Sequence, residues 1–63
     1  MNKFILVNRD IPYEYVKGWG EGRLHLTQDI HEAHVFTSDI EADKIRLMVQ
    51  EYTGCRWRIQ EAE

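Results

Sequence analysis

Residues 38–54, SDIEADKIRLMVQEYTG, decide the fold of this 63-residue chain. Ser38 precedes Glu41 by three residues, which is the capping-box spacing that starts a helix. Gly54 ends the stretch as a residue suited to the left-handed conformation that stops a helix. The stretch therefore predicts one helix over about residues 38–53.

The predicted helix carries an apolar stripe at three- and four-residue spacing, which is typical of a face packed on a sheet. The stripe consists of Ala42, Ile45, Val49 and Tyr52, with Met48 beside them. Ile40 and Leu47 are seven apart and lie about 140–160° from Ile45 at 100° per residue. Either the domain wraps further around the helix, or these two side chains point outward, flanked by charged residues, and form a second binding surface or a homodimer contact.

The rest of the chain has the punctuation of short strands. Extended runs are predicted at about residues 3–8, 13–18, 22–27 and 55–60. Pro12 cannot donate to a strand ladder, so the second run is expected to start at or just after it. The last run alternates, which places Cys55, Trp57 and Ile59 on one face.

The run Gly18-Trp19-Gly20-Glu21-Gly22 separates the two middle strands. It is expected to turn a β-hairpin, with the glycines supplying positive φ angles. It does not fit a phosphate-binding loop, because such loops open a helix and this one runs into a strand.

These elements predict a single α+β domain over residues 1–63, with one helix packed on a mostly antiparallel sheet of three to four strands. A chain of this length buries only about 60% of its unfolded surface. Such a core rarely supplies more than about 3–5 kcal/mol. A second copy would add stability, so homodimerisation is one expectation.

The formal net charge of −3 provides no general attraction to nucleic acid or to an anionic membrane. One cysteine cannot form an internal disulfide, and the four apolar residues at 4–7 are too few for a signal peptide or a membrane span. We expect a cytoplasmic protein without a membrane partner.

The candidate reactive residues do not form a recognisable site. His31 and His34 lack the His-Glu-x-x-His spacing of a catalytic zinc motif, and His25 lies outside that segment. Cys55 on an apolar strand face is typical of a small buried hydrophobe rather than a nucleophile. We predict no catalytic residue, no metal site, no cofactor and no enzymatic activity.

Trp19 is the most informative single side chain. A tryptophan between two glycines has little local chain to bury it, so it either folds back over the sheet or contacts a partner. Tryptophan is enriched among the residues that anchor protein interfaces. The predicted partner-binding residues are Trp19, Glu21, Ile40 and Leu47.

A basic aromatic sheet face is the alternative prediction, because stacking and phosphate contacts together bind single-stranded nucleic acid. Its residues would be Arg23, Arg56, Arg58, Tyr13 and Tyr15. Cross-strand pairing with Glu14, or simple solvation, is the other interpretation of these arginines. Nucleic-acid binding would weaken steeply with salt.

Several short patterns spread over the chain resemble those of small uncharacterised proteins of bacteriophages and prophages. They are Tyr15-Val16-Lys17, the segment 29–36 with Glu32-Ala33 and Val35-Phe36, Ser38-x-x-Glu41-Ala42, and Trp57-x-Ile59. The resemblance implies an accessory phage protein that binds a host or phage protein, a class that includes inhibitors of bacterial defence systems. It implies no site residue.

Overall fold

A computed structural model describes residues 2–62 of the chain. Its elements, in chain order, are β1 (Lys3–Asn8), β2 (Tyr15–Gly20), β3 (Arg23–Thr27), a 3-10 turn (Ile30–Glu32), α1 (Asp39–Thr53) and β4 (Trp57–Ala62). The four strands form one sheet in the order β3-β2-β1-β4, with antiparallel neighbours throughout. The predicted α+β class with one helix on an antiparallel sheet is confirmed.

Both predicted ends of the helix are confirmed. The hydroxyl of Ser38 accepts a hydrogen bond from the backbone N–H of Glu41 at 3.3 Å, which satisfies one free donor of the first turn. Gly54 has a φ of 73°, and its N–H donates to the carbonyl of Gln50 at 2.9 Å. Within residues 2–62, no helix has the length and apolarity that a membrane crossing requires.

Strand β1 is an inner strand that is buried on both faces, as its unbroken apolar run indicates. One face belongs to the main core under α1, formed by Leu6, Val16, Phe36, Ala42, Val49 and Trp57. The opposite face belongs to a second cluster, formed by Ile5, Val7, Tyr15 and Ala33. Because Ala33 follows the 3-10 turn, that segment serves as the cover of the second face.

The segment 33–36 fills the gap where β2 separates from β1. The ladder between the two strands contains one described residue pair, Val7 with Tyr15. Further along, Phe36 and Phe4 exchange both backbone hydrogen bonds at 2.8–2.9 Å. The N–H of His34 donates to the carbonyl of Val16 at 2.8 Å. The inner edges of both strands are thereby hydrogen-bonded although they diverge.

Strand β2 begins two residues later than the predicted start at position 13. The side chain of Asn8, which is buried, accepts hydrogen bonds from the backbone N–H groups of Asp10 and Ile11 at 2.8 and 3.1 Å. Tyr13 has a φ of 59°, which is incompatible with a strand. The turn therefore extends past Pro12 and delays the strand.

Strand β4 likewise begins at Trp57 rather than near residue 55. The backbone N–H of Cys55 donates to the hydroxyl of Thr53 at 3.2 Å and therefore continues the helix cap instead of the sheet. Trp57 and Ile59 share the apolar face, as predicted, whereas Cys55 packs against the main core from outside the strand.

The β2–β3 hairpin has the two-residue loop Glu21-Gly22, with φ angles of 54° and 72°. Positive φ at both positions defines a type I′ turn. The expectation that all three glycines supply positive φ is wrong for Gly18 and Gly20, neither of which has it. Gly18 instead lies at a register shift after Val16, which is a β-bulge.

Candidate protein-binding groove

The helix covers only part of the sheet. α1 packs mainly across β4 and β1, and the β2–β3 hairpin lies beside it. Ala42 and Val49 are buried, and Ile45 is half-buried. Met48 and Tyr52 are 62% and 67% exposed, so the prediction that these two also face the sheet is wrong.

An apolar groove of about 250 Å³ lies between α1 and the hairpin. Its walls come from the hairpin residues Trp19, Gly20, Gly22, Arg23 and Leu24 and from the helix residues Ile45, Met48, Val49 and Tyr52. Arg23 and Tyr52 are the ionisable residues of this lining. The groove therefore presents carbon surface to solvent, with little capacity for acid–base chemistry.

The groove is open because the hairpin tip carries little side-chain volume. A Cβ atom placed on Gly20 or Gly22 would meet no other heavy atom within 4 Å. Packing therefore does not demand a glycine at position 20, and the space beside it stays unfilled. Protein interiors are close-packed, so apolar space of this kind is normally filled. Where it stays open at the surface, it is a site at which another molecule can pack.

Trp19 forms one wall of the groove and is held in place by its neighbours. Its ring stacks on Phe36 with centroids 5.9 Å apart and planes 10° apart, and it contacts the His34 ring at 4.9 Å. Phe36 is a core residue, so the indole is anchored to the main cluster. Trp19 nevertheless remains 44% exposed. It folds back over the sheet and still presents one side to solvent.

The other predicted partner-binding residues do not join Trp19 in one surface. Glu21 is exposed at the hairpin turn. Ile40 and Leu47 are 70% and 53% exposed, as expected for outward positions, but they are not part of the groove lining. The helical periodicity predicts a core position for Met48 and Tyr52, and no sequence signal distinguishes Leu24 as part of a binding surface.

The five residues of the predicted nucleic-acid surface are divided between two parts of the molecule. Arg23 lies on β3 and Arg58 on β4, which are the two opposite edges of the sheet. Three strand spacings, about 14 Å in all, separate these edges. Tyr15 is buried in the second cluster. A continuous basic aromatic face that includes Arg23 is therefore not formed.

A shallow cleft of about 430 Å³ does bring part of that set together. It is lined by Val7, Asn8, Arg9, Asp10, Pro12, Tyr13, Tyr15, Arg58 and Gln60. Tyr13 is 74% exposed there. The lining contains one carboxylate, Asp10, and two arginines, Arg9 and Arg58, so the cleft carries both signs of charge.

Arg56 is engaged within the protein. Its backbone N–H donates to Asp10 Oδ2 at 2.7 Å, and its Nε and Nη2 donate to Asp10 Oδ1 at 3.1 and 2.8 Å. The backbone hydrogen bond is the main cause, and the side-chain hydrogen bond the second, of a pKa of Asp10 below its ordinary value. The pair links the β1–β2 turn to the start of β4.

Asp10→Asn should lower the urea midpoint of unfolding at pH 7. A carboxyl whose pKa is depressed in the folded state stabilises that state above its unfolded pKa, and the contribution is lost as pH falls through the folded pKa. The difference in urea midpoint between wild type and Asp10→Asn should therefore begin to shrink below about pH 4 and should close as pH falls further. Urea titrations at pH 7, 4 and 2.5 measure it.

Glu51→Gln is the matched control, because it removes one negative charge from an exposed helix position. It should leave the midpoint at pH 7 nearly unchanged. A gap for Asp10→Asn that is the same at all three pH values would show that carboxylate charge is not what stabilises this contact.

The predicted absence of a metal site concerns the histidines and Cys55. His31 is exposed at the 3-10 turn, whereas His34 contacts Trp19 and Phe36. Among residues 2–62, no group of three or more His, Cys, Asp or Glu residues is placed to hold a metal ion. Cys55 is half-buried, with Sγ 3.8 Å from the carbonyl of Thr53.

Comparison with known proteins finds no matching family model, no similar curated protein and no similar solved structure. The proposed function therefore rests on the geometry of the groove and of the residues around it.

Proposed function

We propose that this chain is a small, non-enzymatic protein-binding module that docks a partner through the groove. The observation that carries the proposal is the exposure of the apolar groove walls, above all Trp19, Met48 and Tyr52. Exposed apolar surface that is concave and continuous is a feature of interaction sites rather than of inert surface. Tryptophan and tyrosine are also the residues most enriched among binding hot spots.

The size of the groove supports a protein partner. Pockets for drug-sized molecules usually measure about 300–1,000 Å³. The groove measures about 250 Å³ and is open to solvent. It therefore suits one or two apolar side chains projected from a partner surface. An aliphatic or aromatic anchor would replace water against Met48 and the indole of Trp19.

The proposed setting is the cytoplasm of a bacterial host. The resemblance to small phage accessory proteins supports a host protein as the partner to test first, such as a component of a defence system. Binding that blocks a partner surface needs no catalytic group, which suits a module that acts as an inhibitor or modulator.

Trp19→Ala tests the proposal. A photoreactive amino acid at position 48 is used to cross-link the partner in host cells, and mass spectrometry identifies it. Calorimetry then measures the affinity of the purified partner for the wild-type protein and for the Trp19→Ala protein. Removing a central anchor of this kind should weaken binding by about 30-fold or more, since hot spots contribute at least about 2 kcal/mol.

Tyr13→Ala is the control, because Tyr13 is also an exposed aromatic residue and is located in the cleft away from the groove. It should leave the affinity unchanged. Circular dichroism confirms that both variants are folded. Unchanged affinity of a folded Trp19→Ala protein would rule out the hairpin as the binding element.

A further inference from the structure

Strand β3 is an outer strand of the sheet, so one side of its backbone has no partner within the described residues. The type I′ turn determines which groups lie on that side. Such a turn is closed by hydrogen bonding between its flanking residues, here Gly20 and Arg23. Pairing alternates along an antiparallel ladder. The N–H and C=O groups of Leu24 and Leu26 therefore point to the free edge.

We propose that two copies of this chain associate by pairing β3 with β3, antiparallel, around a two-fold axis at His25. In this register, Leu24 of one copy lies opposite Leu26 of the other. Both residues have outward backbone groups, so each such pair exchanges two N–H···O=C bonds. The edge of β3 is thus complementary to itself, which a two-fold interface requires.

The side chains on the helix side of this seam are also complementary. Leu24 is half-buried against the main core, and Leu26 is 38% exposed. Successive residues alternate between faces, so both leucines project to the side that carries α1. Across the axis, leucine meets leucine, and the apolar surface that each copy leaves exposed becomes covered by the other.

Charges are complementary on the opposite side of the seam. Arg23 of one copy lies across from Thr27 of the other in this register. The hydroxyl of Thr27 donates to Oε1 of Glu32 at 2.9 Å, which holds that carboxylate beside the strand. Arg23 therefore meets Glu32 of the second copy, and the symmetry repeats the ion pair.

The other outer strand does not offer the same surface. On β4, Trp57 is buried and Ile59 is half-buried under the core of its own copy. On its other face, Arg58 and Gln60 are polar, and Ala62 packs against the second cluster of its own copy. Pairing at β4 would cover little exposed carbon, whereas pairing at β3 covers the leucines.

The dimer does not depend on the proposed function, but it changes the form of the groove. A two-fold axis perpendicular to the sheet places both helices on the same face of one continuous sheet. Each groove lies beside β3, so the two grooves then face each other across the seam. Arg23 and Leu24 belong both to the groove lining and to the seam, so partner docking and self-association occupy adjoining surfaces. Sedimentation of the purified chain measures self-association with no partner present.

Sedimentation velocity over a concentration series, at neutral pH and physiological salt, is the test. Wild-type protein should show a monomer–dimer equilibrium. Arg23→Glu and Glu32→Arg should each raise the dimer dissociation constant about tenfold or more, because each places like charges across the seam. The double variant Arg23→Glu/Glu32→Arg restores opposite charges and should recover most of the affinity.

Ile40→Asp and Leu47→Asp are the controls, because both residues lie on the outward helix face. They should leave the dissociation constant unchanged. Hydrogen exchange followed by NMR should show the amides of Leu24 and Leu26 protected only at high protein concentration. A wild-type monomer up to about 1 mM, failure of the double variant to recover, or loss of dimer in the Ile40 or Leu47 variant would each overturn the proposal.

Discussion

Trp57→Ala should leave about half or more of the protein unfolded at 25 °C. Trp57 is 2% exposed and lies in the main core between β4 and α1. Truncation of a buried aromatic residue to alanine destabilises a protein by about 3–5 kcal/mol. A core of this size supplies about the same amount in total. The free energy of unfolding should therefore fall to near zero.

Hydrogen bonds add to the effect of lost packing. The indole Nε1 of Trp57 donates to the hydroxyl of Thr53 at 2.9 Å, and that hydroxyl donates to the carbonyl of Val49 at 2.8 Å. The backbone N–H of Trp57 donates to Oε1 of Gln50 at 3.0 Å. The end of α1 and the start of β4 are thus joined through this one residue, and an alanine leaves the Thr53 hydroxyl with one fewer donor.

Far-ultraviolet circular dichroism and the dispersion of the NMR spectrum measure the loss of structure. Trp57→Phe should remain folded, because it keeps most of the buried ring volume and loses one hydrogen bond. Trp19→Ala should also remain folded, since Trp19 is 44% exposed. A Trp57→Ala protein with a wild-type urea midpoint would contradict the placement of Trp57 at the centre of the core.

Local signals in the sequence were sufficient for the helix and for the class of fold. Ser38 and Gly54 form hydrogen bonds with backbone groups three and four residues away, so these caps do not depend on the rest of the molecule. The alternation that places Trp57 and Ile59 on one face is equally local. These features were correctly predicted because no distant contact competes with them.

The groove was not predicted, because its existence depends on the lateral position of the helix over the sheet. Periodicity shows that Met48 and Tyr52 belong to the apolar side of α1. It does not show which strands lie beneath that side. In the structure, α1 packs on β4 and β1, so the part of the stripe nearer the hairpin remains uncovered.

The division of the predicted nucleic-acid surface was missed for the same reason. Arg23 lies on β3 and Arg58 on β4, and the sequence does not show that these two strands form opposite edges of the sheet. Strand order depends on the path of the segment 33–36, which inserts beside β1 through Phe36. The strands were therefore found from the sequence, whereas the surfaces they share were not.

Met48→Asp should weaken partner binding about 30-fold or more while the fold is retained. Met48 is 62% exposed in the free protein, so a charged replacement stays hydrated and should change the free energy of unfolding by no more than about 0.5 kcal/mol. In the complex, the same carboxylate would be buried against an apolar anchor without a counter-charge. Leaving a charge unpaired in an interface weakens binding by about 2–5 kcal/mol, which is 30-fold or more.

Leu47→Asp is the matched control and also decides between the two exposed apolar faces of α1. Leu47 is adjacent in sequence, is 53% exposed and lies outside the groove lining, so the new charge has the same helix-dipole environment. Calorimetry with the purified partner, the protein that cross-linking identified, should show that Leu47→Asp binds with wild-type affinity. The reverse result, in which Leu47→Asp loses binding and Met48→Asp keeps it, would move the binding surface to the outward face that contains Ile40, and the groove would then have no part in docking.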